Sequence, residues 1–64
     1  MTLREARFFK GLNQYDVSMR AGIAQSRISL MERGYYQPKE DEKRRIAKAL
    51  GCRVEDIFDV NEEV

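Results

Sequence analysis

Apolar residues return at helical intervals in five separate stretches of the chain, and glycine closes most of them. Leu3, Ala6 and then Phe9 or Lys10 recur three or four apart after Thr2-x-x-Glu5, which has capping-box spacing, and Gly11 stops the run. A first helix is predicted over about residues 2–10. Asn13 offers a side-chain oxygen to the first turn of the next helix, Asp16 favours its positive end, and Gly22 supplies a left-handed residue to finish it, so a second helix covers about 14–21. Ile28 and Met31 mark the inner face of a third helix, about 25–33, with Gly34 as its stop. Two helices joined through so short a glycine-containing turn make a helix-turn-helix, with steeply crossing axes.

Pro38 biases Gln37 away from helical dihedrals and suits a helix start, so residues 35–38 read as a loop. A fourth helix follows over about 39–50, acidic at its beginning and basic later, with Ile46, Ala47 and Leu50 as its inner stripe and Gly51 as its end. Val54, Ile57 and Phe58 mark a short fifth helix, after which residues 59–64 are polar enough to fray. The apolar set expected in the core is Leu3, Leu12, Val17, Ile23, Ile28, Met31, Ile46, Leu50 and Phe58. No strand pattern, repeat or low-complexity tract interrupts this all-α reading.

Sixty-four residues allow one small domain, of a size at which folding buries only about 60% of the extended chain's surface and a deep cleft is improbable. The single cysteine, Cys52, has no partner for an internal disulfide and is expected to act as a small buried apolar residue. No apolar h-region opens the chain and no run of about 18 apolar residues occurs, which points to a soluble, cytoplasmic protein. With no histidine, one cysteine and no glycine-rich phosphate loop, no nucleophile-base pair or metal cluster can be assembled, so neither an enzyme nor a cofactor is expected.

Net charge is only +1, but its distribution is uneven. Residues 1–39 carry seven bases against three acids, and the remainder five bases against eight acids. A basic front and an acidic back suit a protein that meets a polyanion with one face, although solvated helix surfaces explain such runs equally well.

The stretch LNQYDVSMRAGIAQSRISLMERG, followed by Pro38 and IAKALG, resembles the Cro and phage-repressor (XRE) helix-turn-helix family over nearly the whole chain. Arg7, Leu12, Gln14, Val17, Gly22, Ile23, Ile28, Ser29, Glu32, Gly34, Pro38, Ile46, Ala47, Ala49, Leu50 and Gly51 stand at family spacing without an insertion. The resemblance implies a five-helix, lambda-repressor-like domain that binds double-stranded DNA and regulates transcription. Ser18 departs from the family's usual alanine but is small enough for the close approach of the second and third helices. Ala24, Lys39 and Arg53 stand where Ser, Thr or Asp would commonly cap a helix, each missing cap costing about 0.5–2 kcal/mol. Glu40 and Lys43 replace residues that are often apolar, so the start of the fourth helix is expected to pack loosely or to contact something else.

In such folds the third helix enters the major groove with its N-terminal residues at the base edges. The resemblance therefore implies base contacts from Gln25, Ser26, Ser29 and Leu30, with Arg27 alongside. Gln25 can pair in two-pronged fashion with adenine, Leu30 can meet a thymine methyl, and Arg27 has the reach for a guanine or for a phosphate. Gln14 matches the family's phosphate-binding glutamine, and Tyr36, Gln37, Lys39 and Arg33 are placed to hold the backbone on the other side. Tyr35 is expected to cover the core. The resemblance also puts Arg7 and Glu32 together as a partly buried ion pair.

A homodimer through the residues after Gly51, among them Val54, Phe58 and Val60, would present two recognition helices about 34–36 Å apart. The alternative is a protein-interaction module on the same fold, docking a partner through its acidic fourth and fifth helices. No membrane contact and no small-molecule ligand are expected.

Overall fold

The computed structural model describes residues 1–58, all helix, turn and loop. Helix α1 spans Leu3–Phe9, α2 Gln14–Ala21, α3 Gln25–Glu32, α4 Glu40–Leu50 and α5 Val54–Ile57. The all-α, five-helix, lambda-repressor-like architecture expected from the sequence is present. The expected frayed tail and Val60 lie outside the described residues.

Local chemistry accounts for the boundaries. Thr2 accepts a hydrogen bond from the Glu5 N–H at 3.1 Å while the Glu5 carboxylate accepts from the Thr2 N–H at 2.9 Å, so Thr2 is a cap and not the first helical residue. Asn13 and Asp16 make the same reciprocal pair at the head of α2, at 2.8 and 3.0 Å. Helix α2 ends at Gly22, whose φ of +69° is the left-handed conformation that a Cβ disfavours, and the Gly22 and Ile23 N–H groups both close on the Ser18 carbonyl. That turn is short enough to swing α3 across α2.

Val17, Ile28, Ile46 and Leu50 are the largest fully buried side chains, joined by Leu3, Ala6, Ala21, Ile23 and Ala47. They bring α2 against both α3 and α4, α1 against α3, and α5 against α4. Leu12, Met31, Cys52, Ile57 and Phe58 pack at the edge of this core. Cys52 is therefore half-buried, and burial, with Asp56 nearby, raises its thiol pKa.

Three expectations change. Phe9 does not continue the inner stripe of α1: it is 79% exposed, because the inward line runs through Leu3, Ala6 and Arg7 and Phe9 falls about 120° away from it at 100° per residue. Tyr35 does not cover the core: it is 74% exposed, and only its N–H is tied down, to the Leu30 carbonyl. The start of α4 is not loosely packed. Glu42 is buried there and gathers three hydrogen-bond donors, and the mostly buried Lys43 side chain lies between Glu40 and the Phe58 ring. Ordered polar contacts replace the apolar packing that a sequence pattern would look for.

Candidate nucleic-acid interface

Helix α3 turns Ile28 fully into the core, which leaves the opposite side of the helix to solvent. Gln25, Ser26, Ser29, Leu30 and Arg33 recur at alternating intervals of one and three, so they form one stripe that starts at the flank of the helix with Gln25 and runs along its outer side. Gln25, Ser26, Leu30 and Arg33 are exposed and Ser29 is half-buried. Arg33 donates to the Ser29 hydroxyl at 3.3 Å, which leaves the Ser29 proton available to an outside acceptor. Ala24 has no side-chain acceptor for the first turn of α3, and no acid stands in that turn.

The end of α3 is anchored by Glu32. Arg7 grips its carboxylate with two prongs, Nε to Oε2 at 2.6 Å and NH2 to Oε1 at 3.1 Å, and its NH1 donates to the Leu12 carbonyl at 3.1 Å. Gln14, at the head of α2, donates to Glu32 Oε1 at 3.0 Å. Helices α1, α2 and α3 are thereby linked through one buried carboxylate. The Gln14 amide nitrogen keeps a second proton for an outside acceptor such as a phosphate oxygen.

The start of α3 is anchored differently, by Glu42 of α4. Arg27 donates from NH1 to Oε2 at 3.2 Å, while the Tyr36 hydroxyl and the Lys39 N–H donate to Oε1 at 3.0 and 2.9 Å. The Arg27 guanidinium lies over the Tyr36 ring, 5.1 Å from its centre. Tyr36 has one hydroxyl proton and gives it to Glu42 in this structure. Gln37 and Lys39 remain exposed beside it.

Arg45 of α4 holds the turn itself. It donates to the carbonyls of Ala21 and Gly22 at 2.9 and 2.6 Å, and Asp41 holds its third nitrogen at 3.1 Å. Neither Arg45 nor Glu42 was singled out as a functional candidate from the sequence. Glu42 does carry a signal, since an acid three residues into a helix is the far half of a capping box, but Lys39 in the cap position conceals it. Arg45 shows only its helix pair with Asp41, because the carbonyls that it holds at the turn are more than twenty residues away.

Both anchoring carboxyls are held below the ordinary carboxylate range. For Glu32, burial pushes upward, but the hydrogen bonds from Arg7 and Gln14 and the Arg7 charge outweigh it. For Glu42 the Lys39 N–H is the largest influence and lowers it, with Tyr36 and Arg27 adding to the effect against the cost of burial. A carboxyl with a lowered folded-state pKa stabilises the fold fully above its unfolded pKa and loses that contribution as pH falls through the folded value. The melting temperature is thus expected to fall on acidification from about pH 6 to about pH 3, and a flat profile there would contradict it.

With this geometry in place, comparison with known proteins is decisive: the chain matches the Helix-turn-helix family over residues 3–57. It belongs to that family. A transcriptional regulator of the HTH type, itself uncharacterized, from Methanothermobacter thermautotrophicus is 39% identical over 62 residues, covering 95% of this chain and 90% of its own. Another from Methanocaldococcus jannaschii is 34% identical over 56 residues, covering 88% and 85%. The crystal structure of the restriction-modification controller protein C.AhdI from Aeromonas hydrophila superposes with a TM-score of 0.84 at 30% identity, covering 88% of this chain and 85% of that one.

Proposed function

We propose that this chain is a sequence-specific, double-stranded-DNA-binding transcriptional regulator, with α3 in the major groove. The stripe from Gln25 and Ser26 through Ser29 and Leu30 to Arg33 carries the reading, because it is turned away from the core that holds Ile28 and is open to base edges. The HTH-type transcriptional regulators and the controller protein to which the chain is similar support the same class of function. Gln25 reads an adenine, Ser26 and Ser29 contact base edges or sugar-phosphate, and Leu30 meets a thymine methyl. Gln14, Arg33, Gln37 and Lys39 hold phosphates, and the exposed Tyr35 joins them in place of Tyr36.

The described helices include none long and apolar enough to cross a membrane, and no three metal-ligating side chains cluster among the described residues. A single domain that works in the cytoplasm without catalysis is part of the proposal, supported by the kinship with HTH-type transcriptional regulators. Dimerisation after Gly51 is part of the same proposal, and the half-buried Val54, Ile57 and Phe58 are its candidates.

Selection of bound sequences from random duplexes, repeated with Gln25→Ala, tests the assignment. Loss of preference at one base pair per half-site is expected, amounting to about 1–3 kcal/mol, with most of the phosphate-driven affinity kept. An unchanged motif would remove Gln25 from the reading. Tight binding to a protein and none to any duplex would favour an interaction module instead.

A further inference from the structure

Arg27 stands in the first turn of the recognition helix, where a guanidinium would ordinarily add a phosphate contact, yet it is already engaged from behind. Its side chain is half exposed, while the Glu42 carboxylate that holds it is almost wholly buried, at 50% and 7% respectively. Glu42 cannot swing away, because two further donors fix its other oxygen. The Arg27 charge is paired with a fixed neighbour through NH1, and its guanidinium carbon lies 5.1 Å from the centre of the Tyr36 ring.

We propose that Glu42 is a specificity-determining residue: by pairing with Arg27 and holding it against Tyr36, it withholds the guanidinium from the DNA backbone. The inference rests on the reading that α3 faces DNA. Phosphate contacts add affinity for every sequence alike and carry no base information. A cation at the groove that is free to seek phosphates raises binding to unrelated DNA as much as to the target. One that is neutralised within the fold does not, so discrimination is left to the uncharged readers Gln25 and Ser26.

Glu42→Gln isolates the effect, since the amide oxygen can still accept from Tyr36 and Lys39 while the NH2 group replaces the oxygen that Arg27 uses. Titration of the selected duplex and an unrelated duplex between about 50 and about 200 mM salt then reads the outcome. Glu42→Gln is expected to bind the unrelated duplex several-fold more tightly, to steepen the slope of log affinity against log salt by about 0.9 per bound chain, and to narrow the ratio between the two duplexes. Adding Arg27→Gln to it should restore the original slope.

Arg27→Gln alone gives a second arm that does not alter the buried carboxylate. It should leave the slope unchanged, whereas a loss of about 0.9 would mean that Arg27 already holds a phosphate and would overturn the proposal. An unaltered slope and ratio in Glu42→Gln, with circular dichroism showing a folded domain, would overturn it as well. If the wild-type chain binds neither duplex at any salt concentration, the failure belongs to the DNA-binding reading itself.

Discussion

Arg7→Ala is expected to destabilise the domain by about 3–5 kcal/mol, the cost of leaving a buried charge without its partner. Glu32 would remain in place with its side chain 5% exposed, keeping Gln14 but losing both prongs of the guanidinium. The Leu12 carbonyl would lose a donor too. Folded chains of this size are worth only about 3–10 kcal/mol in total, so the variant loses a large share of its stability and its urea midpoint should fall steeply. Urea titration followed by circular dichroism measures it. The paired replacement Arg7→Met with Glu32→Leu should recover much of the loss, because no charge is then stranded. A loss below about 1 kcal/mol for Arg7→Ala, the value of an exposed pair, would mean that the site is far wetter than its geometry indicates. A DNA-binding defect in an Arg7 variant would accordingly report on folding and not on contact.

Ile28→Ala should cost about 2–5 kcal/mol by the same measurement, since the side chain is completely buried and its removal opens a cavity between α3 and its neighbours. Ile28→Val should cost about 0.5–1.5 kcal/mol. The pair separates packing from reading. Ile28 is completely buried while Gln25 is exposed at the start of α3, so whatever fraction of Ile28→Val remains folded should select the same DNA motif as wild type. A changed motif in that variant would show that the pose of α3, and not merely its outer stripe, determines the bases read.

The elements were legible wherever a short-range signal dictates them. Asn13, Asp16 and Gly22 bound α2 correctly because capping and the left-handed turn involve atoms only a few residues apart. Ile28, Ile46 and Leu50 were recognisable as core from their spacing alone. Phe9 misled because an aromatic residue six beyond Leu3 satisfies a loose apolar rhythm without lying on the same side of the helix. Tyr35 misled for a different reason: adjacent residues in a loop have no period to separate them, and only the position of Glu42 decides that the Tyr36 hydroxyl is captured while Tyr35 stays exposed.

The helix-turn-helix itself, and the outward stripe of α3, are properties of the sequence, because glycine positions, caps and the burial of Ile28 are local and periodic. The supports of that stripe are properties of the tertiary structure. Glu32 collects Arg7 and Gln14 from two other helices, Arg45 reaches back to the turn, and Glu42 holds Arg27 from across a loop. Hydrogen bonds between residues 15 to 25 positions apart leave no periodic trace, since they depend on where packing brings the helices and not on the chain between them.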